Sequence, residues 1–481
     1  MADAPLMLSV SGLRGLVGKS FTAPLAGKYA AAFGHWLKHE SATGPNRLAQ
    51  TKPHVVIGRD SRPSGAMIES AVATALTHIG CRATLLGIVT TPGVALMVQQ
   101  LGADGGMVIT ASHNPIEWNG LKALDRNGAA PTADQITQVA ELFKADNVDY
   151  ADGAPVETFE ENRDTHQVHV DCIQTQIDTE SIRGRRIKVV LDSVHGAGGA
   201  EASMLCQQLN IDLIHLYATP TGNFPHPPEP TQENLSTLCD AVRKHEADIG
   251  FAQDPDADRL AIVDETGRYL GEEYTLALSC LHVLERNPGI MSQYTLVANL
   301  STSRMIDDIA ARHSKSTRRP VDVIRTPVGE ANVAAAMRAN DALIGGEGNG
   351  GVILPSVCHV RDSLVGIGLV LEMLSQRQQP ISHIAREIPR YAIIKDKVSL
   401  STEIVPIPRL VDGLRQRMHD LYGQQKLDDQ DGIRVDWSDR WLHVRPSNTE
   451  PILRIIAEAR NEQTARKMIS DFRDVLDLSQ A

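Results

Sequence analysis

Ser112 and His113 place a hydroxyl and an imidazole directly after a short apolar segment. The run Gly106-Met-Val-Ile109 has the length and the apolar character of a buried strand. The polar segment Thr110-Ala-Ser-His-Asn-Pro115 follows it, and open α/β sheets hold ligands and reactive groups at the carboxyl ends of their strands. Ser112 is therefore the candidate nucleophile, and His113 or Lys122 is the candidate acid or base.

Asp254, Asp256 and Asp258 stand at alternate positions, so in an extended chain their side chains project to one side. Carboxylate oxygens are the ligands that Mg²⁺ prefers, and three such charges without a cation would repel one another. An EF-hand calcium loop is disfavoured because Arg259 replaces the glycine that its turn requires. The spacing predicts a magnesium site, and the alternative is a solvated acidic turn.

The segment Gly346-Glu-Gly-Asn-Gly-Gly351 fits the glycine spacing of a dinucleotide-binding loop. The apolar run Val352-Ile-Leu354 follows it, however, where a helix N-terminus would be needed to hold a pyrophosphate. The carboxylate of Glu347 and the amide of Asn349 are better suited to sugar hydroxyls. We predict a sugar-binding loop here, with a plain tight turn as the alternative.

The segment Arg445-Pro-Ser-Asn-Thr-Glu-Pro451 gathers donors for an oxyanion. Its guanidinium offers paired donors, and Ser447, Asn448 and Thr449 add hydroxyl, amide and backbone donors. Arg454 supplies a second guanidinium nearby. We predict a phosphate clamp, with a capped turn and a structural salt bridge as the alternative. A clamp, a metal site and a serine together suggest a substrate with one phosphate in the clamp and its other end at a phosphorylated Ser112.

Two further loops leave their alternatives open. The opening segment Ser9–Ser20 is not a P-loop, because Leu13 stands where that motif needs a glycine. It is either a glycine-rich turn or a loop that presents Arg14 to a ligand. In the segment Gly58–Gly65, we interpret the arginines as surface charges or salt-bridge partners in preference to ligand contacts.

Strand-like and helix-like segments alternate along most of the chain, an order that builds parallel sheets with helices on their faces. The alternation begins at residue 54, again near residue 187 and again near residue 273, and the last part of the chain reads as α+β. The predicted fold class is α/β, with three similar mixed α/β domains and a C-terminal α+β domain. The expected domains are residues 1–157, 158–267, 268–378 and 379–481, with a linker at 376–381.

Composition narrows the class of protein. A chain of 481 residues is long enough for several domains, and its net charge of −12 disfavours a general nucleic-acid or anionic-membrane surface. Its six cysteines include no Cys-x-x-Cys pair, which argues against a disulfide framework or a structural zinc site. The start lacks a signal-peptide pattern and no run is long enough to span a bilayer, so we expect a soluble cytoplasmic protein.

Four motifs in this order resemble the α-D-phosphohexomutase superfamily, which contains phosphoglucomutases, phosphomannomutases and phosphoglucosamine mutases. They are Thr110–Pro115, Asp254–Arg259, Gly346–Gly350 and Arg445–Pro451. The resemblance covers nearly the whole chain. It implies four domains around a central cleft, the last similar to the TATA-box-binding protein. It also implies one Mg²⁺ per chain and a sugar 1,6-bisphosphate that acts as intermediate and activator.

The resemblance implies a role for each matching residue. Ser112 would be the phosphoserine and would bind the metal together with Asp254, Asp256 and Asp258. The sugar would be held by Glu347 and Asn349, and its phosphate by Arg445, Ser447, Asn448, Thr449 and Arg454. The reaction centre would include Arg14, His113, Lys122 and Arg259. Ser112 would give its phosphate to the sugar, and after the bisphosphate reorients it would take back the other one.

The sequence departs from the family pattern in two places. The opening reads Ser-Val-Ser-Gly-Leu-Arg-Gly, not Phe-Gly-Thr-x-Gly-x-Arg-Gly, and the sugar loop ends in Asn-Gly-Gly where many members have Ser-Gly-His. The form of that loop is most similar to archaeal-type phosphoglucosamine mutases, with phosphomannomutase or phosphoglucomutase as the alternative. A phosphoserine-dependent phosphatase and a non-catalytic sugar-phosphate-binding protein are more distant alternatives. The expected partner is a hexose phosphate, and the chain would be a monomer or a homodimer.

Overall fold

The computed structural model describes residues 6–9, 12–43, 52–145, 158–287, 292–399, 407–447 and 452–480. Within them the strands form four sheets, of seven, four, four and five strands. The first three sheets combine parallel and antiparallel strands, whereas the fourth is antiparallel throughout. This arrangement confirms the predicted fold class, three mixed α/β units followed by an α+β unit.

The first unit is built on the seven-stranded sheet. Its strands are β1 Met7–Ser9, β2 Gly12–Leu16, β3 His54–Arg59, β4 Arg82–Ile88, β5 Gly105–Ile109, β6 Trp118–Leu124 and β7 Glu160–Glu161. Its helices are α1 Ala23–Thr43, α2 Gly65–His78, α3 Thr91–Gln100 and α4 Ala133–Ala145. The strand order is β1-β2-β6-β5-β3-β4-β7.

The second unit has the strand order β11-β10-β8-β9, and the third has β13-β12-β14-β15. The second contains α5 Thr165–Gln174, α6 Thr179–Arg183, β8 Lys188–Asp192, α7 Gly199–Gln208, β9 Asp212–Leu216, α8 Ser236–His245, β10 Ile249–Gln253 and β11 Leu260–Asp264. The third contains α9 Glu273–Arg286, β12 Tyr294–Asn299, α10 Met305–Thr317, β13 Val321–Thr326, α11 Glu330–Ala339, β14 Ile344–Glu347, β15 Gly351–Ile353, α12 Ser363–Arg377 and α13 Ile381–Arg386.

The last unit is an antiparallel sheet in the order β16-β20-β19-β18-β17. Its elements are β16 Ala392–Ser399, α14 Ile407–Tyr422, β17 Lys426–Asp428, β18 Ile433–Asp436, β19 Trp441–Pro446, β20 Ile452–Ala459 and α15 Glu462–Gln480. Both helices contribute to one apolar cluster with the sheet, through Leu414 and Phe472 among others. None of the helices in the described ranges is long and apolar enough to span a bilayer.

The three α/β units share one feature that positions the candidate site. In each unit a strand that pairs in parallel with its neighbour is followed by an antiparallel partner, as in β5–β6, β10–β11 and β14–β15. The loops that join these pairs begin at the carboxyl ends of β5, β10 and β14. They contain Ser112, the three aspartates and Asn349, respectively.

The structure changes three details of the sequence prediction. Gly12–Leu16 is a strand paired with β6 and not a glycine-rich turn, because Leu13 is buried in the apolar cluster of the first unit. The strand predicted from the sequence at residues 342–344 is instead β14, Ile344–Glu347, which pairs with β12 from Leu296 onward. The predicted linker is shorter than 376–381, because α12 extends to Arg377 and α13 begins at Ile381.

Candidate active site

Ser112 lies in the loop between β5 and β6, with 2% of its surface exposed. Its backbone φ is +50°, a left-handed conformation that costs free energy for a residue other than glycine. Its hydroxyl donates to Asp254 Oδ2 at 3.0 Å, and His113 Nδ1 lies 3.3 Å away. The fold therefore brings the predicted nucleophile to the predicted metal loop across 142 positions of sequence.

Arg62 holds this loop in place. The side chain is 1% exposed, and its guanidinium donates to the carbonyls of Ser112 (2.6 Å), Asn114 (2.7 Å), Pro115 (2.6 Å) and Trp118 (3.0 Å). Its Nε also donates to the buried carboxylate of Asp60, at 3.0 Å. The sequence predicts Arg59 and Arg62 as surface charges or salt-bridge partners. Arg59 does pair with Glu69, at 3.2 Å, and Arg62 with Asp60, at 3.0 Å, whereas the carbonyl contacts of Arg62 were not predicted.

The three aspartates form a buried carboxylate cluster. One ligand oxygen from each lies within 4.8 Å of the other two, and all three side chains are fully buried. Asp256 Oδ1 and Asp258 Oδ1 have no hydrogen-bond partner among the described residues. Burial and repulsion from the other two raise the pKa of Asp254 well above its usual value. Two unpartnered carboxylate oxygens in a cluster of this charge fit a hard divalent cation.

Lys122 lies on β6 and neutralises part of the cluster. Its ammonium lies 2.7 Å from Asp256 Oδ2 and 3.1 Å from Asp258 Oδ2. Burial alone would lower the pKa of Lys122, but the two carboxylates raise it above its usual value, so the amine is charged. For His113, burial and the cations Arg259 and Arg14 lower the pKa to about 2, so its ring is neutral.

A cleft of about 410 Å³ adjoins these groups. Seven predicted site residues line it, and they are Arg14, His113, Arg259, Glu347, Asn349, Arg445 and Arg454. All four units contribute to this wall, so the cleft is a junction of the whole fold. Asn349 Oδ1 and the Nε atoms of Arg259 and Arg445 are buried without a hydrogen-bond partner among the described residues. The amide oxygen can accept a hydrogen bond from a polar ligand, and each of the two Nε–H groups can donate one to it.

Arg445 and Arg454 lie opposite each other on β19 and β20. Arg445 lies 3.6 Å from Asp431. Like charges directly opposite each other on two strands repel. An anion placed between the two guanidinium groups would relieve that repulsion. Ser447 lies just beyond β19, and its amide donates to the carbonyl of Ile452 at 2.9 Å. The predicted ligands Asn448 and Thr449 lie outside the described residues.

Arg361 is a second site residue that was not predicted from the sequence. Its guanidinium donates to Asp258 Oδ2 at 2.6 Å and to Glu347 Oε2 at 2.8 Å, which connects the metal loop to the end of β14. Its Nε donates to Glu330 at 2.7 Å. Gly351 makes room for this side chain, since a Cβ there would lie 2.1 Å from Arg361 Cδ. The sequence contains no local sign of these contacts, because each partner comes from a different segment.

Comparison with known proteins identifies the family. Four models described as phosphoglucomutase/phosphomannomutase domains I, II, III and C-terminal match residues 7–149, 167–267, 272–391 and 405–475. A phosphoglucomutase/phosphomannomutase of Thermococcus kodakarensis is 35% identical over 459 residues, which is 95% of each chain. This chain belongs to the phosphoglucomutase/phosphomannomutase family.

Two other relatives agree with this assignment. A probable phosphoglucosamine mutase of Methanopyrus kandleri is 33% identical and covers 97% of this chain and 96% of its own. The crystal structure of a phosphoglucomutase/phosphomannomutase family protein from Burkholderia thailandensis has a TM-score of 0.82 and 27% identity, with 98% of each chain covered. This member of the family is therefore a hexose-phosphate mutase, an isomerase that acts as an intramolecular phosphotransferase.

Proposed function

We propose that this mutase interconverts glucosamine 6-phosphate and glucosamine 1-phosphate. Ser112 carries a phosphoryl group, donates it to the bound hexose phosphate and receives the other phosphate from a sugar 1,6-bisphosphate, which also serves as activator. One observation carries the proposal: the Ser112 hydroxyl lies 3.0 Å from Asp254, beside a cleft whose wall also contains the Arg445–Arg454 pair. A nucleophile and a separate anion site in one cleft suit a substrate with a phosphate at either end.

We assign Mg²⁺ to the cluster of Asp254, Asp256 and Asp258, with Ser112 as a fourth ligand. The unpartnered oxygens of Asp256 and Asp258 support this assignment. A bound Mg²⁺ would neutralise charge on the transferring phosphoryl group. Lys122 adds a fixed positive charge beside the same carboxylates, and Arg14 and Arg259 place two more along the cleft.

The remaining polar residues of the cleft orient the sugar and its second phosphate. Glu347 and Asn349 accept and donate hydrogen bonds to ring hydroxyls, and Arg445 and Arg454 bind the distal phosphate together with Ser447, Asn448 and Thr449. His113, 3.3 Å from the Ser112 hydroxyl, and Lys122 are the candidate acid or base for the transfer. We assign these roles to four domains, residues 1–157, 158–267, 268–378 and 379–481, in a cytoplasmic monomer or homodimer.

The sugar has a second candidate, mannose or glucose, because the relative from Thermococcus kodakarensis is named a phosphoglucomutase/phosphomannomutase. The amino sugar is favoured by the Gly346-Glu-Gly-Asn-Gly-Gly351 form of the sugar loop and by the relatives named probable phosphoglucosamine mutase.

The test is a comparison of glucosamine 6-phosphate, mannose 1-phosphate and glucose 1-phosphate, each with Mg²⁺ and a trace of sugar bisphosphate. We expect isomerisation of at least one, with glucosamine 6-phosphate turned over best, and near-complete loss of activity in Ser112→Ala with the fold intact. Ser70→Ala, which changes an exposed serine of α2, is the matched control and should retain activity. No turnover of any of the three sugars, or free phosphate released as fast as substrate is lost, would contradict the mutase proposal.

A further inference from the structure

We propose that Glu273 is the residue that selects an amino sugar, by binding the positively charged amino group of the hexosamine phosphate in the cleft. This inference rests on the proposed function, and it assigns the choice of sugar to one side chain. Glu273 is the first residue of α9 and lies in the wall of the cleft with Glu347 and Asn349.

The position of Glu273 is fixed from two sides. One carboxylate oxygen accepts a hydrogen bond from the backbone amide of Ser303, at 2.9 Å. Both oxygens lie directly against Gly348, where an added Cβ would come within 2.1 Å and 2.2 Å of them. Gly348 is the residue between Glu347 and Asn349, so the absence of a side chain there keeps this carboxylate beside the two predicted sugar ligands.

Glu273 differs from the other acids of the cleft in its charge balance. Glu229 lies 3.4 Å from Arg259, Glu272 lies 2.8 Å from Lys395, and Glu347 lies 2.8 Å from Arg361. No comparable ion pair of Glu273 exists in the part of the chain that the structure describes. A half-buried carboxylate without an ion pair is poorly compensated, so a ligand that brings a positive charge would gain free energy there.

The surroundings of Glu273 also disfavour its charged form and raise its pKa. Burial, together with the nearby carboxylates of Glu458 and Glu272, raises the pKa of Glu273 to about 8, whereas the hydrogen bond from the Ser303 amide and the charge of Lys395 oppose the shift. An ammonium group of the ligand would supply the missing counter-charge and favour the ionised carboxylate.

The chemistry distinguishes three classes of substituent at the same ring position. An ammonium group forms a charge-assisted hydrogen bond to a carboxylate, which is stronger than the bond from a neutral hydroxyl. An acetamido group is neutral and larger, so it gains no charge pairing. Glu273 would thus favour hexosamine phosphates over hexose phosphates and over N-acetylhexosamine phosphates.

The experiment compares kcat/KM for glucosamine 6-phosphate with kcat/KM for glucose 6-phosphate in the full-length enzyme and in Glu273→Gln. Glutamine keeps the size and the acceptor oxygen but removes the charge. We expect the ratio of the two values to fall by about tenfold or more in Glu273→Gln. The control is Glu285→Gln on the same helix, which removes an exposed pair with Arg377 and should leave the ratio unchanged.

A binding measurement covers the case in which Glu273→Gln does not fold. In the non-reacting Ser112→Ala enzyme, calorimetry should show tighter binding of glucosamine 6-phosphate than of glucose 6-phosphate or N-acetylglucosamine 6-phosphate, by about tenfold. An unchanged kinetic ratio, or equal binding of the three ligands, would overturn the inference while the mutase function stands. If the wild-type enzyme isomerises no hexose phosphate at all, the proposed function itself fails, and the inference fails with it.

Discussion

At the scale of single residues, the conformation of the Ser112 loop depends on Arg62. Four carbonyls of that loop accept hydrogen bonds from one buried guanidinium. Arg62→Lys would keep the charge but replace a planar set of five donors with three, so several carbonyls would lose their partner. We expect kcat/KM to fall about tenfold or more and the free energy of unfolding to fall by about 2 to 4 kcal/mol.

Urea unfolding and steady-state kinetics would measure both effects. Arg59→Lys is the matched control, since it lies in the same segment and makes one partly exposed pair with Glu69. Its unfolding free energy should change by less than about 1 kcal/mol. An Arg62→Lys enzyme that matched the control in both measurements would show that the backbone holds Ser112 in its left-handed conformation without this side chain.

Arg62 also marks the limit of prediction from sequence at this scale. Ser112 and Asp254 belong to short motifs whose residue types already indicate chemistry, so both could be chosen without a fold. The contacts of Arg62 with the Ser112 loop span 50 positions, and the contact between Arg361 and Asp258 spans 103. Neither arginine differs, in its local sequence, from one that pairs at the surface. Only the folded chain shows that their partners are backbone carbonyls and site carboxylates.

At the scale of elements, the parallel strands were predictable because they are short apolar runs bounded by glycine or polar residues. Strand β6 was missed because Gly120 and Lys122 interrupt its apolar pattern. Gly120 packs closely against the backbone of β2, where a Cβ would lie 2.5 Å from the carbonyl oxygen of Leu13. Lys122 supplies a positive charge beside the carboxylate of Asp256. A strand that serves a site can thus lose the pattern by which strands are recognised.

Arg361 couples two of the strand-to-strand loops, and its removal is predicted to affect both. Arg361→Gln would leave Asp258, Glu347 and Glu330 without their shared cation in a buried setting. We expect the free energy of unfolding to fall by about 3 to 5 kcal/mol, because breaking a buried ion pair leaves uncompensated charge. Activity should fall as well, since Glu347 would no longer be held at the sugar loop.

The control for Arg361→Gln is Arg377→Gln, at the C-terminal end of α12. Arg377 pairs with the partly exposed Glu285 and Glu387, and such pairs contribute about 0 to 1 kcal/mol. Urea unfolding followed by circular dichroism compares the two variants directly. Equal, small losses in both would mean that the sugar and metal loops are held by their own backbone contacts and not by Arg361.

At the scale of the whole molecule, three α/β units meet at a buried polar cluster centred on His169. Its Nδ1 lies 2.9 Å from Glu201 Oε2 and its Nε2 lies 2.8 Å from Asp362 Oδ2, the N-cap of α12. Glu201 also accepts hydrogen bonds from Thr90, the N-cap of α3, and contacts His166 at 2.9 Å. The cluster therefore joins helix ends from all three units, and its charge should set how the stability of the assembly depends on pH.

The sign of this pH dependence follows from the shifted pKa values of His169 and Glu201. Burial alone would lower the pKa of His169, but Asp362 and Glu201 raise it well above 6.5, so its contribution is complete below pH 6.5 and is lost as pH rises through the raised value. For Glu201, burial opposes ionisation, but His169 and His166 lower the pKa to about 2. Its contribution is present above pH 4.5 and is lost as pH falls toward 2.

We therefore expect the cluster to stabilise the fold most between about pH 4.5 and 6.5 and to weaken on the alkaline side. His169→Gln should lower the free energy of unfolding by about 3 kcal/mol at pH 5.5, because two buried carboxylates lose their cation. The deficit should shrink as the pH rises above 6.5 toward the raised pKa of His169. Urea titrations across this range test the prediction, with the exposed His78→Gln as control. A deficit that stayed constant from pH 5.5 to 9 would mean that His169 acts here by packing alone, and that the three units are joined by a neutral contact.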